Sequence, residues 1–132
     1  MSLLGLELAA RRPARATGRL TISRLGAPLL HAHEARTFRA RLRGLHALPP
    51  LGPTDALVIR PCRAIHTFRM ARAIDVAFLD REGAILRVET VPPGSARLCV
   101  SARVVIEMAS GTAARLGLGP GQVLLPPGGS WR

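Results

Sequence analysis

Four residues with chemically active side chains lie close together in the middle of the chain. The stretch PCRAIHTFRMARAIDVAFLD, residues 61–80, contains Cys62, His66, Met70 and Asp75. A thiolate beside an imidazolium is reactive, and a carboxylate that orients the imidazole completes a triad-like set. One hypothesis is therefore a hydrolase-like or metal-assisted enzyme that uses His66, Cys62 and Asp75.

Metal coordination is the second chemistry that these residue types allow. With His31, His33 and Cys99, the stretch offers the thiol and imidazole ligands that zinc and copper bind. The sequence has no Cys-x-x-Cys pair and no His-Glu-x-x-His motif, and a Cys-x3-His spacing arises readily by chance. We therefore predict no metal site and no cofactor. Packing is the stronger interpretation of Cys62 and Cys99, because free cysteines are among the most buried residue types.

Two acidic residues interrupt otherwise apolar strand patterns. Asp75 follows Ile74 at the start of an alternating run, and Glu107 lies near the end of ARVVIEM. A buried carboxylate needs hydrogen-bond donors, and for Asp75 we expect His66, Thr67 or the backbone of the preceding turn to supply them. If Asp75, Glu107 and His66 converged in one cleft, they would be candidates for a functional site.

The elements that position these residues are predicted to be mostly strands. The sequence has 13 glycines and 11 prolines, which indicates many turns. Apolar alternation and short apolar runs predict strands at 18–23, 27–30, 56–60, 74–79, 84–90 and 102–108. Asp80 to Gly83 reads as a reverse turn that joins two of them in a hairpin. The predicted fold is mainly β, at the margin of α+β, as a compact antiparallel β-sandwich or barrel-like domain.

Helical periodicity changes the pattern at two places. Over about 34–45, Phe38 shares a face with two leucines, while Arg36, Arg39 and Arg43 fall on the opposite face, which predicts an amphipathic helix. A second, short helix is predicted over about 111–116, after a possible N-cap. The arginine face of the first helix is a candidate anion-facing surface.

A chain of 132 residues has the size of one domain. We expect a basic N-terminal extension over residues 1–17, a single β-rich domain over 18–125 and a tail over 126–132. The apolar run near the N-terminus is interrupted by Glu7 and followed by arginines, which reverses the order of an export signal. Because no apolar run approaches the ~20 residues that cross a bilayer, we expect a cytoplasmic protein with its cysteines as thiols.

The positive charge is unevenly distributed. The net charge is +11, and residues 1–72 hold 13 arginines against three acidic residues, whereas residues 73–132 hold six against five. All 19 basic residues are arginine, and only three phenylalanines and one tryptophan are present to stack on bases. A basic adaptor for nucleic acid or an anionic membrane surface is therefore only a second alternative, with nucleic acid not the expected partner. The oligomeric state stays open.

Several motifs, in their order along the chain, resemble one known family. They are RLRGL (41–45), PCRAIHTFRM (61–70), IDVAFLD (74–80), SARLCVSA (95–102), VIEM (105–108) and GTAARLGLGPGQ (111–122). The set is similar to the domain-of-unknown-function 192 family over about residues 27–125. The resemblance implies a small β-rich, barrel-like sandwich with short helices, and it implies no established activity. The family usually has an aromatic residue and a proline just before its Ile-Asp pair, whereas this chain has Ala71, Arg72 and Ala73 there, and Gly121 is followed by Gln122 instead of aspartate. Both departures weaken any site that used those side chains.

The favoured functional interpretation is a small soluble binding module. Its pocket would lie under PCRAIHTFRM and accept a small ligand, with an anion favoured by the nearby Arg63, Arg69 and Arg72. The candidate ligand-binding residues are Cys62, Arg63, His66, Met70, Asp75 and Glu107.

Overall fold

The computed structural model describes residues 17–35 and 51–132. Eight strands and one helix occupy these ranges. They are β1 (Thr17–Arg24), β2 (Ala27–Ala35), β3 (Asp55–Ile59), β4 (Ala64–His66), β5 (Ile74–Leu79), β6 (Ile85–Val91), β7 (Ala96–Leu98), β8 (Val104–Ala109) and α1 (Thr112–Leu116). The mainly β prediction and the short second helix are therefore confirmed. None of the helices in these ranges has the length and apolar character to span a membrane.

The strands form one sheet of six and one ribbon of two. The large sheet has the order β1-β2-β3-β8-β5-β6, and β4 pairs with β7. All pairs are antiparallel, as predicted, except β2 with β3, which are parallel, so the sheet is mixed. A parallel pair needs a connection of a dozen or more residues, and residues 36–54 provide that length. Within the described ranges β1 and β6 are the two edges, and the sheet does not close into a barrel.

Both faces of the large sheet are buried. Successive residues of β3, β5 and β8 alternate between two apolar clusters, as the two-residue period of a strand requires. The first cluster contains Ala77, Ile106 and Trp131, and the second contains Val76 and Phe78. This explains why IDVAFL, the whole of β5, is buried and reads as a nearly continuous apolar run.

Local turn chemistry produced the predicted hairpin. β5 pairs with β6, and the Asp80 Oδ1 accepts hydrogen bonds from the backbone of Glu82 at 2.9 Å and of Ala84 at 3.0 Å. Gly83 adopts φ +89°, which side-chain-bearing residues rarely occupy. The Asp-to-Gly turn could be identified from the sequence because the hydrogen bonds of Asp80 lie within the turn itself.

Three predicted segments differ from expectation or fall outside the described ranges. Glu34 and Ala35, the start of the predicted amphipathic helix, belong to β2 instead, and the remainder of that helix lies outside the described residues. The same holds for nearly all of the predicted N-terminal extension over 1–17. At the other end, Trp131 is only 7% exposed and packs into the first cluster, so residues 126–132 are not a free tail.

Candidate functional site

Asp75 is a structural carboxylate with three donors. It is 2% exposed, its Oδ1 accepts from the hydroxyl of Thr90 at 2.6 Å, and its Oδ2 accepts from the backbone N–H of Gly111 at 3.0 Å and Ala113 at 2.9 Å. The expectation that Asp75 is hydrogen-bonded if buried is met. The donors come from β6 and the start of α1, however, and not from His66, Thr67 or the preceding turn.

Asp75 and Glu107 point to opposite faces of the sheet. In the β5–β8 ladder Asp75 lies opposite Met108, whereas Val76 lies opposite Glu107. Neighbouring register positions project to opposite faces, so Asp75 shares the face of the first cluster and Glu107, 1% exposed, shares the face of the second. The two carboxylates therefore do not belong to one cavity.

The β4–β7 ribbon covers the second face. Ile65 at its centre packs into the second cluster, and on the facing strand Arg97 Nε donates to a carboxylate oxygen of Glu89 in β6 at 2.7 Å. His66 is half-buried and stacks on Phe68, with ring centroids 4.7 Å apart. Because the ribbon lies across the sheet from the Asp75 carboxylate, Asp75 does not orient His66 in a triad.

The cysteines and Met70 serve packing. Cys62 is buried in the second cluster, and its Sγ lies 3.1 Å from the carbonyl oxygen of Ala64, to which the thiol can donate. Cys99 and Met70 are partly buried against the same cluster, and both cysteines are free thiols. Within the described ranges no three His, Cys, Asp or Glu side chains are grouped closely enough to hold a metal ion.

The arginines that the sequence suggested as anion contacts are exposed. Arg63, Arg69 and Arg72 are exposed on the segment that carries β4 and leads into β5. Arg69 has φ +64°, an uncommon backbone conformation for a residue with a side chain. The anion-facing surface predicted at Arg36, Arg39 and Arg43 lies outside the described residues.

A different group of arginines meets at one end of the large sheet. Arg60 follows β3, Arg81 lies just after β5, and Arg103 immediately precedes β8. Because β8 runs antiparallel to both β3 and β5, the ends of β3 and β5 and the start of β8 lie at the same end of the sheet. They open onto a cleft of about 480 Å³, here called the arginine cleft, which is lined by Arg60, Pro61, Arg81, Arg103, Val104, Trp131 and Arg132.

Two of the four cleft arginines are held by acidic partners. Arg60 donates through Nε to Glu34 and through Nη1 to the carbonyl oxygen of Trp131 at 2.9 Å. Its guanidinium also lies over the ring of Trp131, 5.1 Å from the ring centroid. Arg132 forms an ion pair with Glu82 at 2.6 Å, and both side chains of that pair are largely exposed. These contacts fix Arg60 firmly and Arg132 loosely, because exposed ion pairs contribute little.

The other two cleft arginines have no such partner. Among the described residues, neither Arg81 nor Arg103 has a side-chain hydrogen bond or an ion pair. Arg81 is exposed and Arg103 is half-buried. Among residues 17–35 and 51–132 no carboxylate lines the cleft, so no described acidic group compensates the positive charge of these two guanidinium groups there. The arrangement can accept an anion.

Sequence reasoning missed the cleft, although a signal was present. Arg60 comes directly after the apolar residues of β3, and Arg103 comes directly before those of β8. Arg81 follows Asp80, the first residue after β5. Such positions become neighbours only if the three strands are adjacent in the sheet. Trp131 was missed because PPGGSWR reads as a polar, flexible ending, whereas its indole N–H donates to the carbonyl of Leu124 at 2.7 Å.

Comparison with known proteins agrees with this fold. The family model for DUF192, described as Uncharacterized ACR, COG1430, matches residues 20–125. No curated protein matches the chain.

Two solved structures are similar. One is a protein of unknown function from Novosphingobium aromaticivorans DSM 12444, with a TM-score of 0.69 and 19% identity, over 82% of this chain and 84% of that one. The other, from Sinorhizobium meliloti 1021, is described as "a putative transcription regulator", with a TM-score of 0.71 and 21% identity, over 86% of this chain and 95% of that one. At these identities the likeness shows the fold alone. Because the family match covers most of the sequence, the chain belongs to the uncharacterised DUF192 family.

Proposed function

We propose that this protein is a binding module for a small anionic ligand and that the arginine cleft is its site. The observation that carries the proposal is the pair Arg81 and Arg103, two guanidinium groups that line one cleft without an acidic partner in the described part of the chain. Arginine stays charged across the physiological pH range, so the site is permanently positive.

The chemistry of the cleft suits an anion. A guanidinium presents a fork of N–H donors that matches carboxylate and phosphate oxygens, and hydrogen bonds to ionised acceptors are stronger than neutral ones. A concave site concentrates the field of its charges, which attracts the ligand as well as holding it. The volume of about 480 Å³ lies in the range of small-molecule sites.

A pocket under PCRAIHTFRM has less support. Its candidate residues are Cys62, Arg63, His66, Met70, Asp75 and Glu107. They divide between the two faces of the sheet and the exposed surface, so they do not converge on one ligand. The hydrolase-like alternative is weaker for the same reason, since the Asp75 oxygens already accept from three donors on the face opposite Cys62.

An adaptor for nucleic acid is the remaining alternative. The net charge of +11 and the description of the Sinorhizobium meliloti structure are compatible with it. Single-stranded nucleic acid is usually bound on exposed aromatic rings, however, and Trp131 is 7% exposed with Arg60 over its ring. The cleft therefore favours a small anion over a polymer.

The test is a titration of the full chain with inorganic phosphate at constant ionic strength, followed by tryptophan fluorescence. Trp131 is the single tryptophan and lines the cleft, so its emission reports on occupancy there. We expect saturable binding, weakened about tenfold or more by Arg81→Gln or Arg103→Gln, because each removes hydrogen bonds to a charged group.

The matched control is Arg63→Gln. It removes the same charge from an exposed position that does not line the cleft, so it should leave the affinity unchanged. Equal weakening by all three variants would mean that only the overall positive field attracts phosphate. The absence of saturable binding to the wild-type chain would refute the proposal.

A further inference from the structure

We infer that the arginine cleft selects a doubly charged phosphoryl group carried on a small organic molecule, that is, a phosphate monoester. This inference rests on the proposed function and adds the class of ligand. It follows from the charge balance of the cleft and from the chemical character of its walls.

The charge balance favours a dianion. Four arginines line the cleft, of which Arg60 is paired with Glu34 and Arg132 with Glu82. The remaining two positive charges, on Arg81 and Arg103, match a ligand group with two negative charges. A carboxylate or a sulfate ester carries one negative charge and would leave one guanidinium uncompensated.

The donor geometry favours three terminal oxygens. Each guanidinium presents a planar fork and commonly binds a phosphoryl group through two parallel N–H···O bonds. A phosphoryl group has three terminal oxygens to share between two forks, whereas a carboxylate has two. Arg60 is held by Glu34 and by the carbonyl of Trp131, so it contributes positive charge and part of the cleft wall rather than free hydrogen-bond donors.

The apolar lining favours an organic ester over free phosphate. Pro61, Val104 and Trp131 line the cleft together with the arginines. The side chains of Pro61 and Val104 have no donors, and the indole N–H of Trp131 already donates to the carbonyl of Leu124, but all three can contact the carbon atoms of an attached group. A volume of about 480 Å³ also exceeds what a single phosphate ion would fill.

Two esters that differ in charge but not in shape test the inference. N-acetyl-phosphoserine amide is mainly a dianion at pH 7.5, since its second pKa is about 6. Its sulfate ester analogue has the same three terminal oxygens and a single negative charge. Titration of the full chain with each, followed by Trp131 fluorescence, should give about tenfold tighter binding of the phosphate ester, as expected for one more unit charge about 4 Å from a guanidinium.

Measurement at a second pH supplies the control. At pH 5 the phosphate ester is mainly a monoanion while the arginines stay charged, so the preference should fall to within about twofold. Arg81→Gln or Arg103→Gln should also reduce the preference at pH 7.5, because one uncompensated charge then remains. Arg63→Gln should preserve it.

The outcomes separate this inference from the proposed function. If both esters bind at pH 7.5 with equal affinity, the cleft binds anions but does not select a dianion, and the inference is wrong. If inorganic phosphate binds but neither ester does, the inference is wrong and the proposed function stands. If neither phosphate nor either ester binds, both are wrong. A preference that persists unchanged at pH 5 would overturn charge matching as the cause.

Discussion

At the scale of single residues, Asp75 shows how a reactive residue type can serve folding. Its carboxylate joins three elements, because its donors lie on β6, on the loop after β8 and at the start of α1. Gly111 is the N-cap of α1 and Ala113 lies in its first turn, where backbone N–H groups have no acceptor within the helix, so Asp75 takes the place of water as their acceptor. A buried carboxylate in this setting stabilises the fold and leaves no oxygen free for catalysis.

Substitution of Asp75 should therefore reduce stability and spare ligand binding. Asp75→Asn removes the charge and turns an amide NH₂ toward one of the donors, which should lower the free energy of unfolding by about 2–3 kcal/mol. Thr90→Val removes one of the three bonds from an exposed strand position and should cost about 1 kcal/mol. Urea unfolding measures both changes.

Phosphate binding supplies the control for these two variants. Each folded variant should bind phosphate with wild-type affinity, because neither position lines the arginine cleft. A loss of affinity in folded Asp75→Asn, or a larger loss of stability in Thr90→Val than in Asp75→Asn, would contradict the assignment of Asp75 to folding.

The sequence indicated that a buried Asp75 needs hydrogen-bond donors, but it did not identify which residues supply them. That a buried aspartate requires donors follows from physical chemistry at any position. The identity of the donors depends on the β5–β6 register and on the place of α1, which lie 15 to 38 residues further along the chain. His66 and Thr67 were nearer in sequence but belong to the segment that lies across the sheet.

At the scale of elements, the C-terminal segment is docked by the β5–β6 turn. The backbone N–H of Leu124 donates to the carbonyl of Gly83 at 2.9 Å, and the Trp131 indole then donates to the carbonyl of Leu124. A Cβ at Gly83 would lie 2.5 Å from the Leu124 oxygen and 3.0 Å from the indole nitrogen. Because Gly83 has no Cβ, Leu124 and Trp131 can pack closely against the turn, and Trp131 forms part of the wall of the arginine cleft.

Two glycine substitutions separate this close approach from backbone strain. Gly83→Ala and Gly94→Ala both place a side chain at positive φ, but nothing lies within 4 Å of a Cβ at Gly94. We expect Gly94→Ala to cost about 1 kcal/mol of unfolding free energy and Gly83→Ala about 3 kcal/mol, since the second also forces the packing apart. In Gly83→Ala the emission of Trp131 should move to longer wavelength as its indole becomes hydrated.

The comparison of the two variants decides the role of this turn. Equal losses of stability, with unchanged Trp131 emission, would show that Gly83 is needed only for its backbone conformation. Phosphate binding should weaken in Gly83→Ala and stay unchanged in Gly94→Ala, because Trp131 is part of the cleft and Gly94 is not.

Elements were predictable where their determinants are local. The β5–β6 hairpin follows from an Asp-to-Gly turn and the alternation beside it, and α1 follows from a short helical run between two glycines. The parallel pairing of β2 with β3 and the docking of the C-terminal segment depend on contacts between residues far apart in sequence. No local pattern specifies them, which is why the sheet was expected to be antiparallel and the last residues free.

At the scale of the whole molecule, the distribution of charge along the sequence differs from its distribution in space. Residues 73–132 carry a net charge of only +1, yet they supply Arg81, Arg103 and Arg132 to the cleft. Three of the five acidic residues of that half point elsewhere, since Asp75 bonds to α1, Glu107 lies on the second face, and Glu89 pairs with arginines on β6 and β7. Asp80 accepts hydrogen bonds within its own turn, and Glu82 pairs with the exposed Arg132, which leaves Arg81 and Arg103 without an acidic partner among the described residues. The fold separates the charges and leaves the cleft positive.

The central claim is that this cleft, rather than the PCRAIHTFRM segment, receives an anion. The most direct measurement is an NMR titration with inorganic phosphate at constant ionic strength, which follows the arginine Nε–H signals and the Trp131 indole N–H. We predict that the signals of Arg81, Arg103 and Trp131 shift together with one dissociation constant, while that of Arg63 stays in place. Shifts confined to Arg63 and Arg69, or no saturable shift at Arg81 and Arg103, would contradict it.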